Sequence, residues 1–288
     1  MKTLEITVTP KKWRTMKEDN YLIGQVEDKI SACDNKYIMT NTGFLDSHQQ
    51  SVARIFCKKN HVPVWNIAFD GDDNKTILSD GLASIPPVRT LFYGGYEDAE
   101  RVIMVNMPDY ADLERDNPLC IIRATKASGS RELTHRDYLG SLLGLGLKRE
   151  MVGDIMVRDD GADIIVLAEI ADFIDMNYYK AGRTNLSVTQ LPISELLLQE
   201  HKVTVVTDTV ASLRLDSVIA SAFGLSRGKS AEAITRGLVF GNNMEITKTD
   251  FQLSEGDKLT LRGKGKAVLS EVGGKSRKDR QYITIERY

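Results

Sequence analysis

Between Arg214 and Lys266 the sequence carries Arg214, Arg227, Lys229, Arg236, Arg262, Lys264 and Lys266. Guanidinium and ammonium groups in this number suit non-covalent contact with an anion. Spread along a stretch rather than gathered at one point, they suit a run of phosphates. Arg227 and Lys229 fall in the expected first turn of a helix. A cation there opposes the helix macrodipole, at a cost of about a few tenths of a kcal/mol. A sequence that accepts this cost is presenting charge to something. The plainer alternative is a solvated face, on which Arg236 is simply favourable near a helix C-terminus.

The elements that must hold these cations follow from local patterns. Leu213, Leu215, Val218, Ile219 and Ala222 recur at helical spacing. Gly224 stops that helix, and Ser226 is placed to cap a second, whose end falls at Gly237. Val239–Phe240 reads as a strand entering a Gly241-Asn242-Asn243 turn. Lys258 to Arg262 reads as a further strand, introduced by Gly256-Asp257.

The order R-L-D, S-R-x-K-S-A, R-G-x-V and G-D-x-L-x-L-R-G-K-G-K resembles the RNA-binding domain of small-subunit ribosomal protein four, here the S-four domain. The placement of charge, read together with this resemblance, predicts RNA contact by Arg214, Arg227, Lys229 and Arg236, with Lys264 and Lys266 extending the patch. The chain departs from that family where Phe240-Gly241-Asn242-Asn243 replaces a V-N-G turn.

Charge is unevenly spread over the 288 residues. The net charge is -2, yet residues 214–288 hold 14 Lys and Arg against 9 Asp and Glu, which leaves -7 for the rest. A basic C-terminal part on an acidic body puts the nucleic-acid partner at the C-terminal end. Cys33, Cys57 and Cys120 are far apart and read as reduced thiols. His48, His61, His135 and His201 are scattered, so no metal is expected. No apolar run approaches a membrane span, and the start lacks a signal-peptide core. The expectation is a cytoplasmic protein without membrane contact or cofactor.

The whole reads as α+β in three domains: a mixed N-terminal segment (1–86), a middle domain (87–198) and the S-four-type domain with its basic tail (199–288). Helices are expected from about Thr15 to Ala32 and from Asp46. Val62 to Phe69 is strand-like, Asp70 to Asn74 a turn, and Pro86-Pro87 a boundary. From Cys120 the order is β-α-β-β-α-β, a ferredoxin-like arrangement. Its elements are strands at Cys120–Ala124, Ile155–Val157, Ile164–Leu167 and Leu186–Gln190, with helices at Thr134–Leu143 and Ala168–Tyr179. No strand has the aromatic pattern of an RNA-recognition motif, so base stacking on this sheet is not expected. Gly94-Gly95 either lets backbone approach a ligand or turns the chain. Ala267–Glu271 and Tyr282–Glu286 pair around G-G-K-S-R-K-D-R, a basic loop expected to be mobile.

Several motifs fail on their spacing. Asp70, Asp72 and Asn74 alternate like a calcium loop, but Lys75 and Gly81 stand where glycine and a bidentate glutamate are needed. His135-Arg136-Asp137 lacks the rest of a kinase catalytic set. Gly263-Lys264-Gly265-Lys266 has no P-loop frame. Arg214-Leu215-Asp216 resembles the aspartate motif of pseudouridine synthases, but the domain order is wrong for them. No H-x-G-H signature supports a tyrosyl-tRNA synthetase.

T-G-F-L-D, Y-G-G-Y-E-D-A-E-R and T-H-R-D-Y-L-G-S-L-L-G-L-G-L-K-R-E-M-V-G-D-I, together with the C-terminal pattern, resemble the bacterial YlmH family over about Thr42 to Lys266. The resemblance implies a non-enzymatic RNA-binding protein of translation. It would act on rRNA and tRNA at the large ribosomal subunit in quality control, as a monomer off the ribosome, with a link to cell division. By the same likeness Arg214 and Arg227 are the central RNA contacts. His135, Arg136, Lys148 and Arg149 are further candidates. The alternative is an RNA-modifying enzyme that uses residues 120–190 for chemistry and the S-four domain as a targeting arm.

Overall fold

The computed structural model describes residues 10–65, 67–70, 75–78, 87–97, 99–198 and 203–288. Contacts divide the chain into two units, Met1–Gln199 and Glu200–Tyr288.

In the first unit, helices α1 (Pro10–Lys36) and α2 (Ser47–Lys59) precede and follow β1 (Thr40–Asn41). Asp46 caps α2: its side chain accepts from the Gln49 amide at 3.0 Å, and the Gln49 side chain accepts from the Asp46 amide at 2.9 Å. This reciprocal box satisfies two orphan donors and fixes the helix start. Strands β2 (Val64–Trp65), β3 (Ile67–Asp70), β4 (Lys75–Leu78), β5 (Val88–Tyr93) and β6 (Ile103–Pro108) follow. One sheet has the order β1-β6-β5-β2, with β2 parallel to β5, while β3 and β4 pair separately and antiparallel. Residues 71–74 of the expected Asp70–Asn74 turn lie outside the described residues, as does Pro86.

The expected domain boundary at 86/87 is corrected by this sheet. Strands on both sides of it pair: Val64 with Thr90 and Trp65 with Leu91. The first unit continues into β7 (Leu119–Lys126), α3 (His135–Gly144), β8 (Val152–Arg158), β9 (Gly161–Leu167), α4 (Ala171–Asn177), β10 (Lys180–Ala181) and β11 (Thr184–Leu191). These strands form an antiparallel sheet in the order β10-β11-β7-β9-β8.

Period-two alternation explains how the layers share one unit. Ile165 and Leu167 of β9 pack in a core with Leu91, Tyr93, Ile103, Val105 and Met107 of the first sheet. Ala162, Ile164 and Val166, on the other face of β9, pack with Tyr138, Leu142 and Ile174 of α3 and α4. Both faces of β9 are therefore buried, and it reads as an unbroken apolar run apart from Asp163.

Asp163 is fully buried. Arg123 meets it with two hydrogen bonds of 2.8 Å, Arg158 stands 2.7 Å away, and the Leu197 amide donates at 3.1 Å. Burial pushes this carboxyl up, but the two guanidiniums outweigh that and hold it below the usual carboxylate range.

The second unit holds β12 (Thr204–Val210), α5 (Leu215–Phe223), α6 (Arg227–Thr235), β13 (Val239–Gly241), β14 (Met244–Glu245), β15 (Lys258–Leu261), β16 (Gly265–Lys275) and β17 (Gln281–Arg287). Its sheet is antiparallel in the order β12-β17-β16-β15-β13-β14. Leu215, Val218, Ile219 and Ala222 of α5 and Ile234 of α6 pack against Leu259, Leu261, Leu269, Ile283 and Ile285.

The basic segment after Glu271 is the end of the expected hairpin, between β16 and β17. Gly273 to Lys275 lie in β16, and the turn beyond them is closed by several bonds. The Ser276 amide donates to the Arg280 carbonyl at 2.7 Å, and Lys275 pairs with Asp279 at 2.8 Å. Arg280 bonds both the hydroxyl and the carbonyl of Thr209.

Candidate nucleic-acid interface

Asp216 organises the cations of the second unit. Arg214 is the N-cap residue of α5, with an extended backbone and no side-chain cap bond. Its guanidinium instead turns onto Asp216, Nε to Oδ1 at 3.2 Å and Nη2 to Oδ2 at 3.1 Å. Arg227, the first residue of α6, donates from Nε to the same Oδ2 at 3.2 Å. The Asp216 side chain is 6% exposed, whereas those of Arg214 and Arg227 are 32% and 59% exposed. A buried carboxylate thus holds two solvent-facing guanidiniums side by side. Burial pushes the Asp216 carboxyl up, but the arginine bonds prevail and keep it below its usual range.

The local sequence explains the geometry. Gly224 takes φ 61°, which ends α5 and turns the chain at once into α6. Ser226 caps α6 by accepting from the Lys229 amide at 3.3 Å. The short link brings Arg227 back beside the start of α5. Lys229 lies exposed in the same first turn.

The remaining candidates stand apart from this pair. Arg236 is at the other end of α6, about 13 Å along the axis at 1.5 Å per residue, and pairs with Glu232 at 3.2 Å. Lys264 is exposed in the turn between β15 and β16, and Lys266 is half-buried opposite Thr260. The Arg262 amide bonds the Leu238 carbonyl, which ties the end of β15 to the segment after α6. The structure therefore splits the expected stripe into an Arg214–Arg227–Lys229 group and a group near the end of α6.

Two further residues belong to this surface. An open hollow is lined by Asp208, Thr209, Ser217, Ser221, Arg227 and Arg280. It places Arg280 of the basic turn near Arg227, a proximity no local pattern signals. Asp216 itself was readable only as part of R-L-D. Asn242, in the turn that departs from the S-four pattern, is spent internally. Its amide donates to Asp257 at 2.8 Å and its oxygen accepts from the Lys258 amide at 2.9 Å.

In the first unit His135 and Arg136 are exposed at the start of α3, which Thr134 caps. Asp137 is committed to that cap, accepting from the Thr134 amide and hydroxyl at 2.8 Å and from Arg131 at 2.7 Å. These bonds hold it at about 2. Lys148 pairs loosely with Glu150 at 3.8 Å. Arg149 turns inward to the carbonyls of Val152 and Gly153. Burial and the nearby Arg101 charge pull it down to about 10.

Other chemistry finds little support among these side chains. Cys33, Cys57 and Cys120 are buried, and burial pushes each thiol up to about 11. No cluster of metal-ligating side chains occurs among the described residues. No described helix is long and apolar enough to cross a membrane. Gly94 serves packing rather than a ligand: a Cβ there would lie 2.2 Å from Ala99 and 2.8 Å from the Arg101 carbonyl.

An α+β chain that sets two solvent-facing guanidiniums over one buried carboxylate presents a cationic face suited to an anion. Comparison with known proteins then gives its family. Residues 114–195, which span β7 to β11, match a family model described as "Putative RNA-binding domain in YlmH". A curated relative, Ribosome-associated protein quality control protein P2 of Bacillus subtilis (strain 168), is 34% identical over 217 residues, covering 75% of this chain and 84% of the relative. The chain belongs to the YlmH family. A solved structure, cell division protein ylmH from Streptococcus pneumoniae, is 21% identical with a TM-score of 0.44, covering 63% of this chain and 95% of that one.

Proposed function

We propose that this protein is a non-enzymatic RNA-binding factor of translation that holds rRNA, together with tRNA, on the large ribosomal subunit. Its setting is ribosome-associated quality control in the cytoplasm, and it acts as a monomer off the ribosome. The second unit is an S-four-type domain, and the β-α-β-β-α-β part of the first unit is ferredoxin-like. The strand order β11-β7-β9-β8 and the paired helices α5 and α6 support these two assignments.

The observation that carries the reading is the shared use of Asp216 by Arg214 and Arg227. Pinning two guanidiniums lowers the entropy lost when they meet phosphates and leaves their other N–H groups outward. Lys229, Arg236, Lys264 and Lys266 extend the track. Contacts of this kind position a protein without reading bases, so specificity comes from RNA shape. The family-model match and the name of the curated relative support RNA and the ribosome as partners.

The enzyme alternative is disfavoured by the same side chains. Asp137 is bound into a helix cap, and Asp216 is neutralised by two arginines. Binding to purified large-subunit rRNA across a salt series tests the proposal. With six phosphate contacts the affinity falls by about two to four orders of magnitude between 50 and 200 mM salt. An affinity indifferent to salt contradicts the proposal.

A further inference from the structure

The hollow of the second unit carries both signs of charge. It holds about 280 Å³ and lies where β12, α5, the first residue of α6 and the turn before β17 come together. Small-molecule sites run from about 300 Å³ upward, so the space suits a group the size of one base rather than a dinucleotide. Part of its lining is apolar, supplied by Ala211, Ala220 and Leu225.

Two exposed guanidiniums line the same hollow, and both are held. Arg227 donates to Asp216 Oδ2 at 3.2 Å. Arg280 donates from Nε to the Thr209 hydroxyl at 3.0 Å and from Nη2 to the Thr209 carbonyl. Between them in the lining stands an exposed carboxylate, that of Asp208. Its Oδ1 accepts from the Thr209 amide at 2.6 Å, and its Oδ2 from the Ser221 hydroxyl at 2.7 Å. These two bonds fix the carboxylate and leave each oxygen room for a further donor.

A carboxylate in this place repels a bare phosphate. A ligand that satisfies both signs has anionic ends and a donor edge between them, which describes a nucleotide within a strand. An unpaired RNA base presents its Watson–Crick edge. Guanine sets two donors side by side there, N1–H and the 2-amino group. Adenine and cytosine each set one amino group beside a bare acceptor nitrogen, and uracil sets its one N–H between two carbonyls. A carboxylate with both oxygens able to accept matches guanine and opposes the other three.

We propose that this hollow takes an unpaired guanine of bound RNA, with Asp208 accepting from its N1–H and 2-amino group and with Arg227 and Arg280 meeting the flanking phosphates. This rests on the RNA-binding reading above and adds base readout at one position to a contact otherwise made through backbone and shape.

The test uses the full-length chain and short oligouridylates whose central base is guanine, hypoxanthine, adenine or uracil, with fluorescence anisotropy as the readout. Wild type is expected to bind the guanine oligomer about fivefold tighter than the adenine and uracil ones, the low end for a bidentate base contact because the hollow is open. Hypoxanthine lacks the 2-amino group and is expected to lose most of that preference. Asp208→Asn replaces one acceptor by a donor, and should bring the four oligomers within about twofold of one another. Arg280→Gln should weaken all four alike and reduce the slope of log affinity against log salt by about 0.7, the value of one single-strand phosphate contact. Equal or undetectable binding of the four oligomers by wild type overturns the site, and that comparison depends on no variant folding. An unchanged slope in folded Arg280→Gln overturns the part given to Arg280. Titration with guanosine monophosphate, followed by the Thr209 and Ser221 amide NMR signals, separates the sources. Shifts with the free nucleotide but no preference among the oligomers mark a free-nucleotide site and overturn the RNA contact. Salt-dependent binding of purified large-subunit rRNA without a guanine preference sinks this site alone, whereas failure to bind that rRNA at all overturns the underlying reading as well.

Discussion

Arg214 Nη2 and Arg227 Nε approach the same oxygen of Asp216, at 3.1 and 3.2 Å, from the starts of two successive helices. The carboxylate is buried and the arginines are not, so it serves as a bracket that sets their spacing.

Removing the bracket tests its purpose. Asp216→Asn leaves every cation in place, yet is expected to weaken rRNA binding several-fold by freeing both guanidiniums. It should also cost the second unit about 1–2 kcal/mol, a charged-hydrogen-bond loss discounted because both arginines retain water. Hydrogen exchange of the β13 and β15 amides reads the second effect separately from the first.

The same residue gives a pH dependence. Its folded pKa lies below the unfolded value, so its stabilisation is fully present above about pH 4 and is lost as pH falls through the folded value. The second unit should hold its stability from pH 7 to about pH 5 and lose it below about pH 4. In Asp216→Asn the acid loss should be shallower, as measured by denaturation at successive pH values.

Asp163 is a purely structural counterpart. Asp163→Asn leaves Arg123 and Arg158 without their buried partner and should destabilise the first unit by about 3 kcal/mol. Chemical denaturation measures it. The folded fraction should bind rRNA with unchanged affinity.

Asn242 separates turn chemistry from RNA contact. Asn242→Gly keeps the positive φ of 49° without strain but loses two hydrogen bonds. The expected cost is about 1 kcal/mol of stability, with rRNA affinity within twofold of wild type. A larger loss of affinity would return this turn to the RNA surface.

Local signals in the sequence carried a good deal of this. Thr134 and Ser226 were readable as helix caps, and Asp46 as a helix start, because such signals need only residues a few positions apart. Gly224 and Gly237 marked helix ends for a similar reason. The antiparallel strands from Leu119 to Leu191 were visible because the turns between them carry their own residues. The 86/87 boundary misled because Pro86-Pro87 punctuates the chain locally, whereas the parallel pairing of β2 with β5 is a long-range matter. The approach of Arg227 to Asp216 and of Arg280 to Thr209 was illegible for the same reason. Each acts on a partner brought near by folding, and spacing along the chain does not encode that.

The central claim is that Arg214 and Arg227 anchor the protein to the large ribosomal subunit. Co-sedimentation of the full-length chain with purified ribosomal subunits, beside Arg214→Ala/Arg227→Ala, measures it directly. Wild type should pellet with the large subunit at low salt and be released as salt rises, while the double variant stays in the supernatant. Equal pelleting of the two would contradict the account and move the anchor elsewhere on the chain.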